Sequence, residues 1–226
     1  MSSQVLAVTL PTSTLYVSGT VNGKDGKPFK TREGGVMRLE VLIDDIRQTM
    51  LKKITDNHET DPDEAEQTSK TVALAAIKYG DLSNQASKDY VFDLERFTSF
   101  EGNTGPYILY TIVRIKSILE KAGENGIEWQ DAKLLPPEAS VEKSLMLDLT
   151  RFGSVIGEAY EELAPHKICA YIYDTANDFN RFYHETKILS EPDEARRSSY
   201  LKLLYAALQV LEKSIDILGF CAPDHM

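Results

Sequence analysis

The chain has 226 residues, of which 42% are hydrophobic, and a formal net charge of -10, a composition that supports one sizeable domain with a buried core. The acidic balance excludes a protein whose whole surface coats nucleic acid, although a local basic face can still hold a phosphate backbone. The apolar runs are too short to span a membrane and residues 1–10 have no signal-peptide pattern, so we expect a cytoplasmic protein without a membrane partner.

The first 35 residues combine two weak strand patterns with a basic loop. Val5–Leu10 and Leu15–Val21 read as short strands. Residues 23–35 (Gly-Lys-Asp-Gly-Lys-Pro-Phe-Lys-Thr-Arg-Glu-Gly-Gly) form a loop, because glycines stand at both ends and a proline inside. The spacing does not fit a Walker A loop. From the residues alone the loop is either a phosphate-binding element or a solvated basic turn.

From Val36 onward the pattern is that of helices joined by short loops. Spacings of three and four predict a first amphipathic helix, with the apolar positions Leu39, Leu42, Ile43, Ile46, Met50 and Ile54. Residues 57–67 form an acidic turn in which Asp61-Pro62 can cap the next helix. That helix is predicted to reach about Tyr79 and to stop at Gly80.

Four further helices follow. They are predicted over 107–121 with a left-handed cap at Gly123, over 142–160 with Ser140 as N-cap, over 166–188, and over 194–218. The last has one apolar face, formed by Leu201, Leu204, Tyr205, Leu208, Leu211, Ile215 and Leu218. Because each apolar stripe needs another to cover it, these helices predict a bundle. Cys169 and Cys221 are read as reduced core thiols, and no ligand spacing indicates a metal site.

Three stretches resemble the arginyl-tRNA synthetases, class I enzymes that join arginine to its tRNA at the expense of ATP. Loop 23–35 is similar to the segment that replaces the KMSKS signature in many bacterial members. The second stretch is similar to the run entering the family's anticodon-binding bundle and consists of Tyr90-Val91-Phe92, residues 100–107 (Phe-Glu-Gly-Asn-Thr-Gly-Pro-Tyr), Tyr110 and Arg114. The third resembles the family's closing motif and consists of Leu218-Gly219-Phe220, Pro223 and Met226. The match covers roughly residues 20–226, whereas residues 1–18 fit poorly.

The resemblance implies a mainly α fold, a helical bundle of the class I synthetase anticodon-binding type behind a short irregular or β remnant of the catalytic domain. Residues 1–35 would be that remnant, 36–66 a connecting helix with the acidic turn, and 67–226 the anticodon-binding bundle. None of the 4 histidines stands in the His-x-Gly-His context of the HIGH signature. We therefore expect the nucleotide fold to be absent and this chain alone to be inactive.

The resemblance also assigns residues to each half of the function. Lys24, Lys27 and Lys30 would meet the phosphates of ATP, which with Mg belongs to the full-length enzyme, while this chain alone should hold no cofactor. Lysine suits that task because its flexible stem can follow a moving phosphate.

Five residues are expected to contact the anticodon arm. Tyr107, Tyr110 and Arg114 share one helix face, where splayed bases could stack; without the resemblance, both tyrosines would read as core. Tyr183 and Met226 would form walls around the middle anticodon base, a cytosine in arginine tRNAs. Three basic residues of the last helix either add phosphate contacts or form a solvated face: Arg196, Arg197 and Lys202.

The expected partners are arginine tRNA, through its anticodon arm, and the missing catalytic domain; no DNA partner is expected. Two other classes stay open. One is a free-standing, non-catalytic helical module that binds tRNA or regulates. The other is a helical protein-interaction module without RNA.

Overall fold

The computed structural model describes residues 19–23, 26, 39–57 and 61–226. In chain order the elements are β1 (Val21–Asn22), α1 (Leu39–Asn57), α2 (Pro62–Leu82), β2 (Tyr90–Val91), α3 (Leu94–Phe97), α4 (Gly105–Glu124), α5 (Ser140–Thr150), α6 (Phe152–Glu161), α7 (Pro165–Glu185) and α8 (Glu194–Ile217). The two short strands pair in parallel, with Val21 opposite Tyr90. The predicted mainly α bundle is confirmed. No helix within these ranges is long and apolar enough to cross a membrane.

Helices α1 and α2 form a hairpin that leads into the bundle. The side chain of Asp61 caps α2 by accepting from the backbone N of Asp63 at 2.9 Å, as the Asp-Pro pair predicted. The helix does not stop at Gly80 but reaches Leu82. Gly80 serves close packing instead, because a Cβ there would overlap the ring of Phe97. The predicted boundary at residue 66 lies inside α2.

The core runs without a break from α1 to α8. Helix α2 packs on α1, α4 and α7, and α4 also packs on α7 and α8. The largest fully buried side chains come from α1, α2, α4, α5, α7 and α8: Tyr79, Phe179, Phe182, Ile46, Met50, Ile108, Leu109, Ile112, Ile115, Leu145, Ile172 and Leu201. Burial of this apolar surface is the main stabilising term for the bundle.

The helix predicted over 142–160 is two helices, α5 and α6, which both pack on α7. Its buried positions explain the break. Val141 and Leu145 bury in α5, and Val155 and Ala159 bury in α6. At 3.6 residues per turn, a straight helix would rotate the second pair about 40° away from the first. The break at Arg151 lets both helices pack on α7.

Three further expectations are corrected by the structure. Helix α4 ends at Glu124, beyond Gly123, and the left-handed residue is Gly126 at φ +68. Ser140 does not cap α5; instead the carboxylate of Glu142 accepts from the backbone N of Glu138 at 2.9 Å. Cys169 is buried as predicted, but Cys221 is exposed.

Candidate functional site

The glycine-rich stretch before α4 forms a tight joint between α2 and α4. Gly102 has φ +77, a left-handed conformation that favours glycine. The hydroxyl of Thr104 accepts from the backbone N of Tyr107 at 3.2 Å and so caps α4. A Cβ on Gly105 would overlap the backbone of Ala75 on α2. These residues therefore fix where α4 begins and how closely it approaches α2.

Tyr79 connects this joint to α7. Its hydroxyl lies 2.5 Å from the side-chain oxygen of Asn103 and 2.9 Å from the backbone oxygen of Cys169. Burial raises the pKa of Tyr79 far above its ordinary value, so the hydroxyl stays protonated. Helices α2, α4 and α7 are thus held together at one end of the bundle.

Tyr110, Arg114 and Tyr183 meet on the surface where α4 lies beside α7, and we call these three residues the aromatic–arginine face. The guanidinium carbon of Arg114 is 4.6 Å from the ring centre of Tyr110 and 5.2 Å from that of Tyr183. Tyr110 is 40% exposed and Tyr183 is 38% exposed. Cation–π attraction holds such a cluster together, and both rings keep surface open to solvent.

The positive charge of Arg114 in this face remains available to a ligand. In the part of the chain that the structure describes, no carboxylate lies within ion-pair distance of Arg114. Its side chain donates instead to the neutral amide oxygen of Asn180 at 2.7 Å. A positively charged, planar group close to two exposed rings can contact a phosphate or stack with a nucleobase.

Tyr107 lies on the same side of α4 as Arg114 but is less exposed than Tyr110. It is half-buried, and its ring packs edge-on against Tyr173 at 5.8 Å between ring centres. Its hydroxyl bonds to the side chains of Asn177 at 2.7 Å and Asn180 at 2.8 Å. Burial raises the pKa of Tyr107. Of the two tyrosines, Tyr107 therefore fits the core alternative and Tyr110 fits the surface alternative.

Met226 lies half-buried against the core at an anchored chain end. Gly219 has φ +82 and its carbonyl accepts from the Lys78 ammonium at 2.5 Å, while the ring of Phe220 is buried. Asp224 lies 3.5 Å from Lys116 on α4. The closing motif thus fixes the chain end against α2 and α4, and the role of Met226 in base recognition stays a prediction.

Two of the three basic residues near the start of α8, Arg196 and Lys202, hold the connector before α5 in place, and Arg197 contacts the loop before α8. Arg196 donates to the carbonyl of Pro136 at 2.8 Å and pairs with Glu138 and Glu142. Lys202 donates to the carbonyl of Gln130 at 2.6 Å, and Arg197 donates to that of Glu191 at 3.0 Å. Carboxylate and carbonyl partners occupy these cations, which favours a structural role over phosphate binding. Tyr205, expected on the buried face of this helix, is 38% exposed and packs against Trp129.

Sequence reasoning missed the polar side chains of α7 that lie toward α4. Asn177 and Asn180 contact the residues of α4, yet amides at helix positions are common and carry no sequence signal of their own. Beside them, Asp148 and Asp178 share a polar pocket with Arg151 and other charged groups. Burial and the neighbouring Asp178 raise the pKa of Asp148.

The predicted signature-loop lysines, Lys24, Lys27 and Lys30, lie outside the described residues, as do the strands expected over 5–10 and 15–18. Only Gly23 and Gly26 of the loop are described, with Gly26 at φ +71. The assignment of these lysines to ATP stays a prediction.

Comparison with known proteins matches both parts of the chain to families. A model of the DALR anticodon binding domain matches residues 108–226, and one of the class I (R) tRNA synthetase catalytic domain matches residues 13–94. An arginine–tRNA ligase of Agathobacter rectalis is 62% identical over 92% of this chain, and one of Alkaliphilus oremlandii is 54% identical over 92%. The solved arginyl-tRNA synthetase of Thermus thermophilus matches 92% of the chain at 28% identity with a TM-score of 0.79.

The chain spans about a third of the length of these relatives. It covers 36% of the Agathobacter protein, 35% of the Alkaliphilus protein and 34% of the Thermus chain.

Proposed function

We propose that this chain, which belongs to the arginyl-tRNA synthetase family, binds the anticodon arm of arginine tRNA through its aromatic–arginine face. The observation that carries the proposal is the pair of exposed rings, Tyr110 and Tyr183, that both lie close to the Arg114 guanidinium. Single-stranded loops present unstacked bases, which proteins bind by stacking on aromatic rings and by contacts from arginine.

Within this proposal the five assigned residues have different tasks. Tyr110 and Tyr183 supply stacking surfaces, and Arg114 supplies the charge. Tyr107 supports them from below, because its hydroxyl is already bonded to two amides of α7. Met226, half-buried against the core, forms a wall of the pocket for the middle base. The bundle that carries these residues is assigned to 67–226, behind a connecting segment 36–66.

We further propose that the whole protein to which this chain corresponds is an arginine–tRNA ligase that uses ATP with Mg in the cytoplasm. Residues 1–35 would contribute the loop whose lysines, Lys24, Lys27 and Lys30, meet negative charge on the phosphates. With no HIGH signature in its sequence, the 226-residue chain is expected to be inactive by itself. An aminoacylation assay with arginine, ATP and tRNA checks this; clear charging by the chain alone contradicts it.

The binding proposal is tested with an anticodon stem-loop of arginine tRNA in a filter-binding titration. The matched control RNA is the same stem-loop with the middle cytosine of the anticodon replaced by guanine. We expect weak, salt-dependent binding, since phosphate contacts release counterions, and tighter binding of the cytosine RNA. Equal affinity for both RNAs at low salt would refute the site. No binding at all would favour a helical protein-interaction module.

A further inference from the structure

Asn180 joins the aromatic–arginine face to the side chain beneath it. It lies on α7, half-buried, between two residues of α4. Its side-chain oxygen accepts from Nη1 of Arg114 at 2.7 Å, and its Nδ2 donates to the hydroxyl of Tyr107 at 2.8 Å. Nδ2 also lies 3.4 Å from the hydroxyl of Thr111. A single amide therefore bonds to both Arg114 and Tyr107.

The chemistry of these groups fixes the direction of every bond. A guanidinium only donates, so the oxygen of Asn180 must face Arg114 and its NH2 must face Tyr107. The Tyr107 oxygen then accepts from Asn180, and its single proton goes to the side-chain oxygen of Asn177 at 2.7 Å. The chain runs one way, from Arg114 to Asn177. Bonds arranged in this way polarise and strengthen one another.

A neutral amide at position 180 has a consequence that other side chains would not have. An aspartate would hold Arg114 equally close but would cancel its charge, and an alanine would release it. Asn180 uses one donor of the guanidinium and leaves its net charge intact. The guanidinium is then held close to both Tyr110 and Tyr183 and keeps its positive charge.

We infer that Asn180 is a positioning residue that orders the aromatic–arginine face before RNA binds. The inference rests on the proposed function. Its benefit is preorganisation: a long arginine side chain that is already fixed loses less rotational freedom when a ligand arrives. Asn180 does not itself touch the RNA and acts through Arg114.

The first measurement needs no RNA. Protons of an arginine held over two aromatic rings experience ring-current shifts, so the Arg114 side chain should give displaced NMR signals in the free 226-residue chain, assigned by their loss in Arg114→Lys. We expect Asn180→Ala to move these signals toward those of exposed arginines. Asn180→Asp, which has nearly the same shape and still accepts from Arg114, should keep them displaced.

The second measurement is the dissociation constant for the arginine anticodon stem-loop. Asn180→Ala should weaken binding about tenfold, from the loss of an oriented cation–π contact. Asn180→Asp should weaken it as well and lower the salt dependence by about one phosphate contact, because the new carboxylate neutralises Arg114. Asn125→Ala is the matched control. Asn125 is exposed at the far end of α4, so this variant should bind the stem-loop with wild-type affinity.

The outcomes separate this inference from the proposed function. A wild-type chain that does not prefer its stem-loop refutes the proposed function and this inference with it. A wild-type chain that binds, with Asn180→Ala equally tight, refutes only the role of Asn180. Unchanged Arg114 signals in Asn180→Ala would also refute only the role of Asn180, and so would wild-type affinity in Asn180→Asp. Urea unfolding of each variant shows that the chain is folded, and the near-isosteric Asp variant keeps the test decisive if Ala unfolds.

Discussion

Replacing Tyr110 with alanine separates a binding role from a structural one. Stacking of one base on an aromatic ring contributes about 1–3 kcal/mol, so Tyr110→Ala should raise the dissociation constant for the stem-loop about 5-fold to 150-fold. Its effect on folding should be small. The ring is 40% exposed, and losing its partial burial and its cation–π contact with Arg114 amounts to about 1–2 kcal/mol. A domain with about 5–15 kcal/mol of stability remains folded after such a loss.

Fluorescence anisotropy of a labelled stem-loop gives the affinity, and urea unfolding followed by circular dichroism gives the stability. Tyr205→Ala is the matched control. Tyr205 is 38% exposed on α8, and the ammonium of Lys202 lies 5.9 Å from its ring centre. Its loss should reduce the free energy of unfolding by an amount similar to that of Tyr110→Ala, without changing RNA affinity.

Two results would refute this reasoning. Unchanged affinity in Tyr110→Ala together with a large loss of stability would show that Tyr110 serves packing alone. Equal weakening of RNA binding in Tyr205→Ala would show that any exposed tyrosine on the bundle contributes. Tyr110→Phe keeps the ring and should bind like the wild type, so a strong effect there would point to the hydroxyl.

Three further predictions concern stability. Gly105→Ala should lower the free energy of unfolding by about 1–3 kcal/mol in urea titrations, because the added Cβ would overlap the backbone of α2. Wild-type stability in this variant would show that α2 and α4 can move apart at little cost. Burial and Asp178 raise the pKa of Asp148 above its ordinary 3.8, so the folded chain binds this proton more tightly and loses stability as pH rises. The stability of Asp148→Asn relative to wild type should therefore increase as pH rises from below 3.8 to neutral, and a constant difference would contradict the raised pKa. Arg196→Ala should lower the free energy of unfolding by about 3 kcal/mol, because it leaves the buried carboxylate of Glu142 on α5 without its cationic partner. Lys202→Ala removes only an exposed contact to a carbonyl and should lower the free energy of unfolding by less. Equal losses in the two variants would argue against the buried ion pair.

Much of the fold could be predicted because its signals are local. The Asp61 cap and the threefold and fourfold apolar spacings depend on neighbours within one or two helical turns, and they placed α1, α2, α4, α7 and α8 closely. Predictions were wrong where a residue that resembles a local stop signal instead serves packing against another part of the chain. Gly80 looks like a helix stop, but it makes room for Phe97. The break between α5 and α6 depends on which side chains α7 covers.

The candidate site was predictable only in part. The resemblance carried by residues 100–107 pointed to α4, and spacing placed Tyr107, Tyr110 and Arg114 on one side of it. Periodicity cannot divide that side into a buried half and an exposed half, because the boundary depends on the neighbouring helix. Helix α7 covers Tyr107 and leaves Tyr110 at the edge.

The helical class, the family resemblance and the residue types available for RNA all follow from patterns along the chain. Which of these residues act together depends on how the helices pack. Arg114 meets Asn180 across a separation of 66 positions, and Tyr183 completes the face from the same distant helix. Such pairings depend on how α4 and α7 pack, and packing is set by the shape of the whole core rather than by any pattern along one helix. Because of this packing, Arg114 lies beside a neutral amide of α7, whereas Arg196 is paired with carboxylates at the start of α5.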